Sequence, residues 1–200
     1  MTAEPPRGLS HRLAGAVEVS LIGAVAAGAV CASVAAAPGW SGAAGAVLAA
    51  LMLAIAVIDH RRMIIPDELS VLAFIAGLAA AWIGTEAPST AAIFQALVRA
   101  SLMFVLFFAF RTGYRALRGV EGMGLGDVKL AAVAGVWLDW VDLPVVVEIA
   151  ALSALAAALY ARFRGDGFDP KARLPFGAFF APAIWICWLL TAWRGDWLAP

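Results

Sequence analysis

The sequence predicts an all-α, polytopic membrane helical bundle of about seven transmembrane helices, and three observations carry that expectation. Of 200 residues, 64% are hydrophobic and only 14% are charged, against roughly 45–50% apolar residues in a soluble domain. The mean hydropathy is +0.90. The apolar residues lie in long runs, separated by short punctuated segments such as Pro38-Gly39 and the stretches 61–67, 84–90 and 165–175. Fourteen basic residues balance fourteen acidic ones, so no basic face is available for nucleic acid. Two cysteines, Cys31 and Cys187, exclude a disulfide scaffold or a zinc ribbon.

The first run, residues 13–37, follows Arg7 and Arg12 and ends in small residues, which leaves a cleaved secretory signal as the alternative and six helices in that case. Its length and the interrupting Glu18 favour a retained helix. The second run, 41–58, stops at Asp59 and the basic pair Arg61-Arg62. The third, 69–83, is short for a crossing and starts after Pro66-Asp67. The fourth, 92–110, carries Arg99; the fifth, 128–140, follows three alternating glycines and has a length at which a re-entrant or buried helix competes. The sixth, 143–163, carries Glu148, and the seventh, 176–193, opens on Pro175-Phe176-Gly177.

Charge placement decides for the fifth run. With all seven crossing, the basic residues from Arg7 to Arg173 outside the spans fall on one side and only Arg194 on the other. Removing the fifth would move Arg164, Lys171 and Arg173 across, against the bias that keeps basic loops inside. The N-terminus is therefore expected inside, with lipid as the surrounding partner. Trp40, Trp82, Trp140 and Trp193 at run ends fit an interfacial belt. The expected organisation is a tail and first helix over 1–40, a membrane domain over 41–193 and a C-terminal tail over 194–200.

In such a chain the informative residues are ionisable ones that hydropathy would not place there, since each costs at least ~2.5–3.5 kcal/mol at mid-depth. Glu18, Arg99 and Glu148 lie within runs, and Asp59 and Asp127 lie at run ends on the inner side. Arg99 and Glu148, both in outer halves, either pair or snorkel separately. Glu18 is expected to be structural, beside water or Arg12, and His60 to be an exposed interfacial histidine. Asp59 is either an interfacial carboxylate solvated beside Arg61 and Arg62 or a functional acid. Asp67, directly after Pro66, reads as a helix N-cap.

Asp127 ends the string Glu121-Gly122-Met123-Gly124-Leu125-Gly126-Asp127. Gly122, Gly124 and Gly126 would let an extended peptide lie against this segment while Asp127 is presented at a helix start. A flexible loop with an ordinary capping Asp is the plain alternative. A nucleotide loop lacks its preceding strand and Walker lysine. Lys129 is substrate-facing or structural, because positions two apart on a helix do not share a face.

Two carboxylates at one membrane level suggest general acid and base work on a single water, the aspartic protease arrangement, although spacing alone does not establish that they meet. Against that stand a proton- or ion-coupled transporter and a catalytically inactive secretion scaffold. A transporter calls for ionisable groups near mid-membrane and often internal repeats, and the sequence has neither pattern. No cluster of metal-ligand residues has suitable spacing, so a reaction without metal or cofactor is expected.

The strings Ile58-Asp59 with Ile65-Pro66-Asp67-Glu68-Leu69, then Glu121 to Leu130 with Asp127 and Lys129, and finally Leu174 to Phe180, resemble the type IV prepilin peptidases over roughly residues 41–193. The Gly-x-Gly-Asp element at Gly124 to Asp127 is also shared in outline with presenilin-type intramembrane aspartyl proteases. The resemblance implies an endopeptidase of the bacterial inner membrane that removes the short basic leader of prepilins and pseudopilins on the cytoplasmic side, with Asp59 and Asp127 as its catalytic aspartates. It further implies Gly122, Gly124, Gly126, Pro66, Asp67 and Lys129 as substrate-binding or site-shaping residues. Association into a homo-oligomer is compatible with the sequence. Many family members carry an extra cytoplasmic domain with paired Cys-x-x-Cys motifs and N-methylate the new pilin terminus. With no such pairs here, the expectation is a shorter, peptidase-only form resembling the peptidases of Flp/Tad-type pilus systems.

Overall fold

The structure, a computed structural model, describes residues 7–84, 90–164 and 175–195. Among the described residues the chain forms seven α-helices: α1 (Arg7–Ala36), α2 (Trp40–Arg62), α3 (Asp67–Ile83), α4 (Thr90–Arg118), α5 (Leu125–Trp137), α6 (Asp142–Arg164) and α7 (Gly177–Arg194). In α1, α2, α4, α6 and α7 the helix contains a stretch long and apolar enough to cross a membrane. The all-helical membrane bundle expected from composition is what the chain forms.

The other two helices are shorter, 17 residues in α3 and 13 in α5. At ~1.5 Å per residue α5 is only ~20 Å long, less than a hydrocarbon core of ~30 Å. It is walled in by protein instead: α3, α4, α6 and α7 all pack against it, and Val128, Leu130, Ala131, Val133 and Ala134 are buried. The buried-helix reading of this segment therefore describes its surroundings, while the order of seven elements stands. Gly135 makes the tight α4 contact, since a Cβ there would lie 2.6 Å from the backbone of Ala100.

Helix ends depart from the hydropathy boundaries for one reason. Hydropathy marks where lipid ends, whereas a helix continues into the interface while its backbone bonds and side chains are satisfied. Thus α2 runs a further turn to Arg62, whose last turn holds His60, Arg61 and Arg62 opposite the negative end of the dipole. Asp59 consequently lies inside the helix. Helix α4 continues two turns past the apolar run, to Arg118, and α5 begins at Leu125, which puts Asp127 in its first turn.

Large core side chains gather between α2 and α7, where Leu48, Met52, Ile55, Phe180, Ile184 and Trp188 are almost wholly buried and Gly45 lies against the Trp188 ring. Buried polar groups are used as staples between helices. Trp137 Nε1 donates to the Ala73 carbonyl at 2.8 Å, Trp185 Nε1 donates to Ser33 Oγ at 2.9 Å, and Thr191 Oγ1 donates to Asp142 Oδ2 at 2.9 Å. Val19, Leu21, Phe94, Phe110 and Leu155 are exposed on the outside, the apolar surface a bilayer requires. Trp40, Trp82, Trp140 and Trp193 are exposed as well. Trp188→Ala is expected to destabilise the bundle by ~3–5 kcal/mol, the usual range for a buried Trp, read as a lowered unfolding midpoint in detergent.

Arg99 does not pair with Glu148. Its Nε donates to the Gly135 carbonyl at 3.2 Å and its Nη1 to Asp139 Oδ1 at 3.2 Å. The last carbonyls of α5 lack intrahelical donors, and a neighbouring guanidinium satisfies one of them. Glu18 pairs with Arg61 at 2.6 Å and ties α1 to the end of α2; the Arg12 side chain, the other partner expected for it, lies outside the described residues.

Candidate active site

Helix α2 ends in a reversal. Met63 adopts a left-handed conformation at φ 53°, its N–H donates to the Asp59 carbonyl at 2.8 Å, and residues 63–66 turn back before α3. This closes the last turn with Asp59 buried at 5% exposure. The Asp59 carboxylate points across to the first turn of α7, where the Ala178 N–H donates to its Oδ2 at 2.8 Å. The free N–H groups of a helix start are a natural seat for a carboxylate.

Asp127 is reached from the opposite wall. It occupies the third position of α5, and its Oδ2 accepts the Gly124 N–H at 3.1 Å, the backward half of a capping box. Asp127 is 8% exposed. Both carboxylates line one cavity of about 190 Å³, together with Met63, Glu121, Gly122, Met123, Gly124, Pro175 and Phe176. Each acid uses one oxygen on a backbone N–H, and among the described residues its other oxygen has no hydrogen-bond partner. A water's share of liquid volume is ~30 Å³, so the cavity has room for water beside a peptide unit.

The glycine-rich segment is held from α4. Arg111 Nη1 donates to the Met123 carbonyl at 3.3 Å and Nη2 to Glu121 Oε1 at 2.9 Å, while Arg115 Nη1 reaches the same carboxylate oxygen at 3.2 Å. The Tyr114 ring lies where a Cβ on Gly122 would come, 2.6 Å away. The two arginines differ in burial: the Arg111 side chain is 11% exposed and that of Arg115 is 66% exposed. Hydrogen bonds to a charged group are worth ~1.5–3 kcal/mol and the Arg111 side chain is largely enclosed, so Arg111→Ala is expected to lower turnover at this site about 10- to 100-fold by releasing the segment. Arg115→Ala should stay within about twofold of wild type, because exposed ion pairs contribute little. Initial rates at matched amounts of folded protein check both.

The site residues read from sequence divide into two groups. Gly122 and Gly124 line the cavity with the two aspartates. Gly126 packs against Ile65, and Pro66 is the N-cap residue of α3. Asp67 corrects the sequence reading: it lies one position inside the helix, makes no capping bond, and accepts Lys129 Nζ at 2.6 Å. Pro66 has taken the cap position, and Lys129 offers the Asp67 carboxylate a charged partner across α3 and α5. Asp67 and Lys129 line a separate apolar groove with Phe74 and Phe104. Arg111, Tyr114, Met63, Ile65 and the Ala178 N–H escaped the sequence reading. For Arg111 the signal was there, because Arg111 and Arg115 are four apart and share one face if the helix outlasts its apolar run. Among the described residues no group of three or more His, Cys, Asp or Glu is placed to hold a metal ion.

A family model described as the Type IV leader peptidase family matches residues 46–161, a stretch that includes both aspartates and the segment between them. The chain belongs to the type IV leader peptidase family. Its relatives agree. It is 40% identical over 160 residues to the "Prepilin leader peptidase/N-methyltransferase" of Burkholderia pseudomallei (strain 1026b), a match covering 78% of this chain and 50% of that protein. With the protein of the same description from Aeromonas salmonicida (strain A449) it shares 33% identity over 166 residues, covering 78% of this chain and 53% of that protein. The chain spans about half the length of these curated leader peptidases. No solved structure matches it.

Proposed function

We propose that this member of the leader peptidase family is a membrane-embedded aspartic endopeptidase that cuts the basic leader peptide from prepilin-like or pseudopilin substrates at the cytoplasmic face of the bacterial inner membrane. The observation that carries the proposal is the pair of buried carboxylates, delivered by different helices to one cavity and each oriented by a backbone N–H. In the reaction one carboxylate is ionised and takes a proton from the attacking water. The other is protonated, donates a hydrogen bond to the scissile carbonyl, and then gives its proton to the leaving nitrogen. A pair of acids that share a proton works as a unit, and the two roles belong to the pair.

Sidedness follows from charge. Arg61 and Arg62 end α2, and Arg111 and Arg115 flank the glycine-rich segment, so the end of the bundle that carries the cavity is its basic end, the end expected inside. A basic leader waiting in the cytoplasm would reach that end while the apolar part of the substrate remains in lipid. Gly124, where a Cβ would come toward the Asp127 carboxylate, leaves the cavity wall low enough for an extended backbone.

The test is reconstitution of the full chain in proteoliposomes with a prepilin that retains its leader, followed by intact-mass measurement of the products. The expected result is two fragments whose masses sum to substrate plus one water, cut at the leader junction. Absence of cleavage over a panel of such substrates would overturn the reading, and proton flux through the same vesicles would then support the transporter.

A further inference from the structure

We infer that Ile65 is the spacer that sets the distance between the Asp59 and Asp127 carboxylates, a positioning residue that acts through the segments it separates; the inference rests on the peptidase reading. Ile65 is buried at 8% exposure, while its neighbours Met63 and Ile64 are 57% and 63% exposed. The left-handed turn at Met63 reverses the chain and Pro66 opens α3, so the short stretch between them carries this one side chain inward.

The place it fills is where the supports of both acids meet. Gly126, the residue before Asp127, has room for hydrogen only: a Cβ there would lie 2.8 Å from Ile65 Cβ and 3.2 Å from both Cγ1 and Cδ1. Gly177, the residue before the Ala178 whose N–H holds Asp59, is equally confined, with a Cβ 2.6 Å from Ile65 Cδ1. One isoleucine thus touches the backbone that carries one acid and the backbone that orients the other. A β-branched side chain is stiff at χ1, which suits a spacer. The chemistry needs both acids within hydrogen-bond reach of one water and one carbonyl, and a displacement of ~1 Å can cost ~10²-fold in rate.

The test is a two-by-two comparison of Ile65→Ala, Gly126→Ala and the double variant in the reconstituted full chain, with kcat and KM measured on a leader-bearing prepilin and normalised to folded protein. Misplacing the acids by up to ~1 Å predicts that Ile65→Ala lowers kcat about tenfold with KM within about twofold, and that Gly126→Ala lowers it about 100-fold. The double variant keeps Ile65 Cβ, the atom nearest a new methyl at 126, but loses Cγ1 and Cδ1, so the shortened residue 65 is free to shift aside, and the variant is expected to recover at least about tenfold over Gly126→Ala alone. A double variant as slow as Gly126→Ala, or slower, overturns the spacer while wild-type cleavage leaves the peptidase reading intact. Wild type that cuts no substrate overturns that reading, and the inference with it. Should the alanine variants fail to fold, Ile65→Val removes only Cδ1; it is expected to lower kcat about threefold with KM unchanged, and an unchanged kcat would overturn the inference.

Discussion

Replacing either Asp59 or Asp127 with Asn is expected to lower leader cleavage at least about 10³-fold, within the ~10²–10⁴-fold range for loss of a general acid or base, while the protein still folds. The substitution keeps size and shape. It also keeps an oxygen that can accept the Ala178 N–H at position 59 or the Gly124 N–H at position 127, so the orienting bonds survive. What disappears is a proton that can be shared and moved. An Asn can neither take a proton from water nor return one to the leaving nitrogen, and the remaining acid of the pair holds one role and lacks its complement. Matched unfolding midpoints in detergent would show that the loss is chemical. A variant that retains more than about a hundredth of wild-type turnover would not fit acid and base catalysis by this pair.

The second large effect is expected at Gly177. An added Cβ would lie 2.6 Å from Ile65 Cδ1 and 2.9 Å from Asp59 Oδ2, so one methyl presses on the proposed spacer and on Asp59 together. Both neighbours are hemmed in, Ile65 by Gly126 and Asp59 by its bond to Ala178. Gly177→Ala should therefore lower kcat about 100-fold or more, the cost of misplacing a reacting group by ~1 Å. Gly113 supplies the control: it lies in α4 near the site, and a Cβ there meets nothing within 4 Å. Replacing a mid-helix glycine by alanine in open space is worth up to ~1 kcal/mol of helix stability, so Gly113→Ala should retain wild-type turnover and be no less stable. Equal losses at 177 and 113 would show that glycine as such, and not the space around Gly177, is what the site requires.

These expectations rest on residues of unequal legibility in the sequence. The bundle and the order of its helices could be read because lipid imposes long apolar runs and collects arginine on one side, signals that hold over tens of residues. The ends could not be read in the same way. Asp59 and Asp127 were visible as ionisable groups at apolar boundaries, but Asp59 turned out to lie one turn inside α2 and Asp127 inside the first turn of α5, because helices continue through the interface. Asp67 misled, since an Asp just before an apolar run commonly caps a helix, whereas Pro66 itself holds the cap and Asp67 turns to Lys129. For Arg99 the sequence left a pair with Glu148 and separate snorkelling open; which group faces it depends on packing, and its partners are the Gly135 carbonyl in α5 and Asp139 in the turn that follows. Ile65 and the Ala178 N–H were illegible. A buried isoleucine beside an exposed one looks the same in a sequence, and a backbone N–H has no letter of its own.

The central claim is that Asp59 and Asp127 act as one catalytic unit, and the most direct measurement is the rate of leader release by wild type, the two single Asn variants and the Asp59→Asn/Asp127→Asn double variant at equal folded levels in proteoliposomes. Groups that act as a unit are strongly non-additive. Wild type is expected to cut, each single variant to lose nearly all turnover, and the double variant to be no slower than the slower single. Separate contributions that multiply in the double variant, or a single variant that cuts at the wild-type rate, would contradict it.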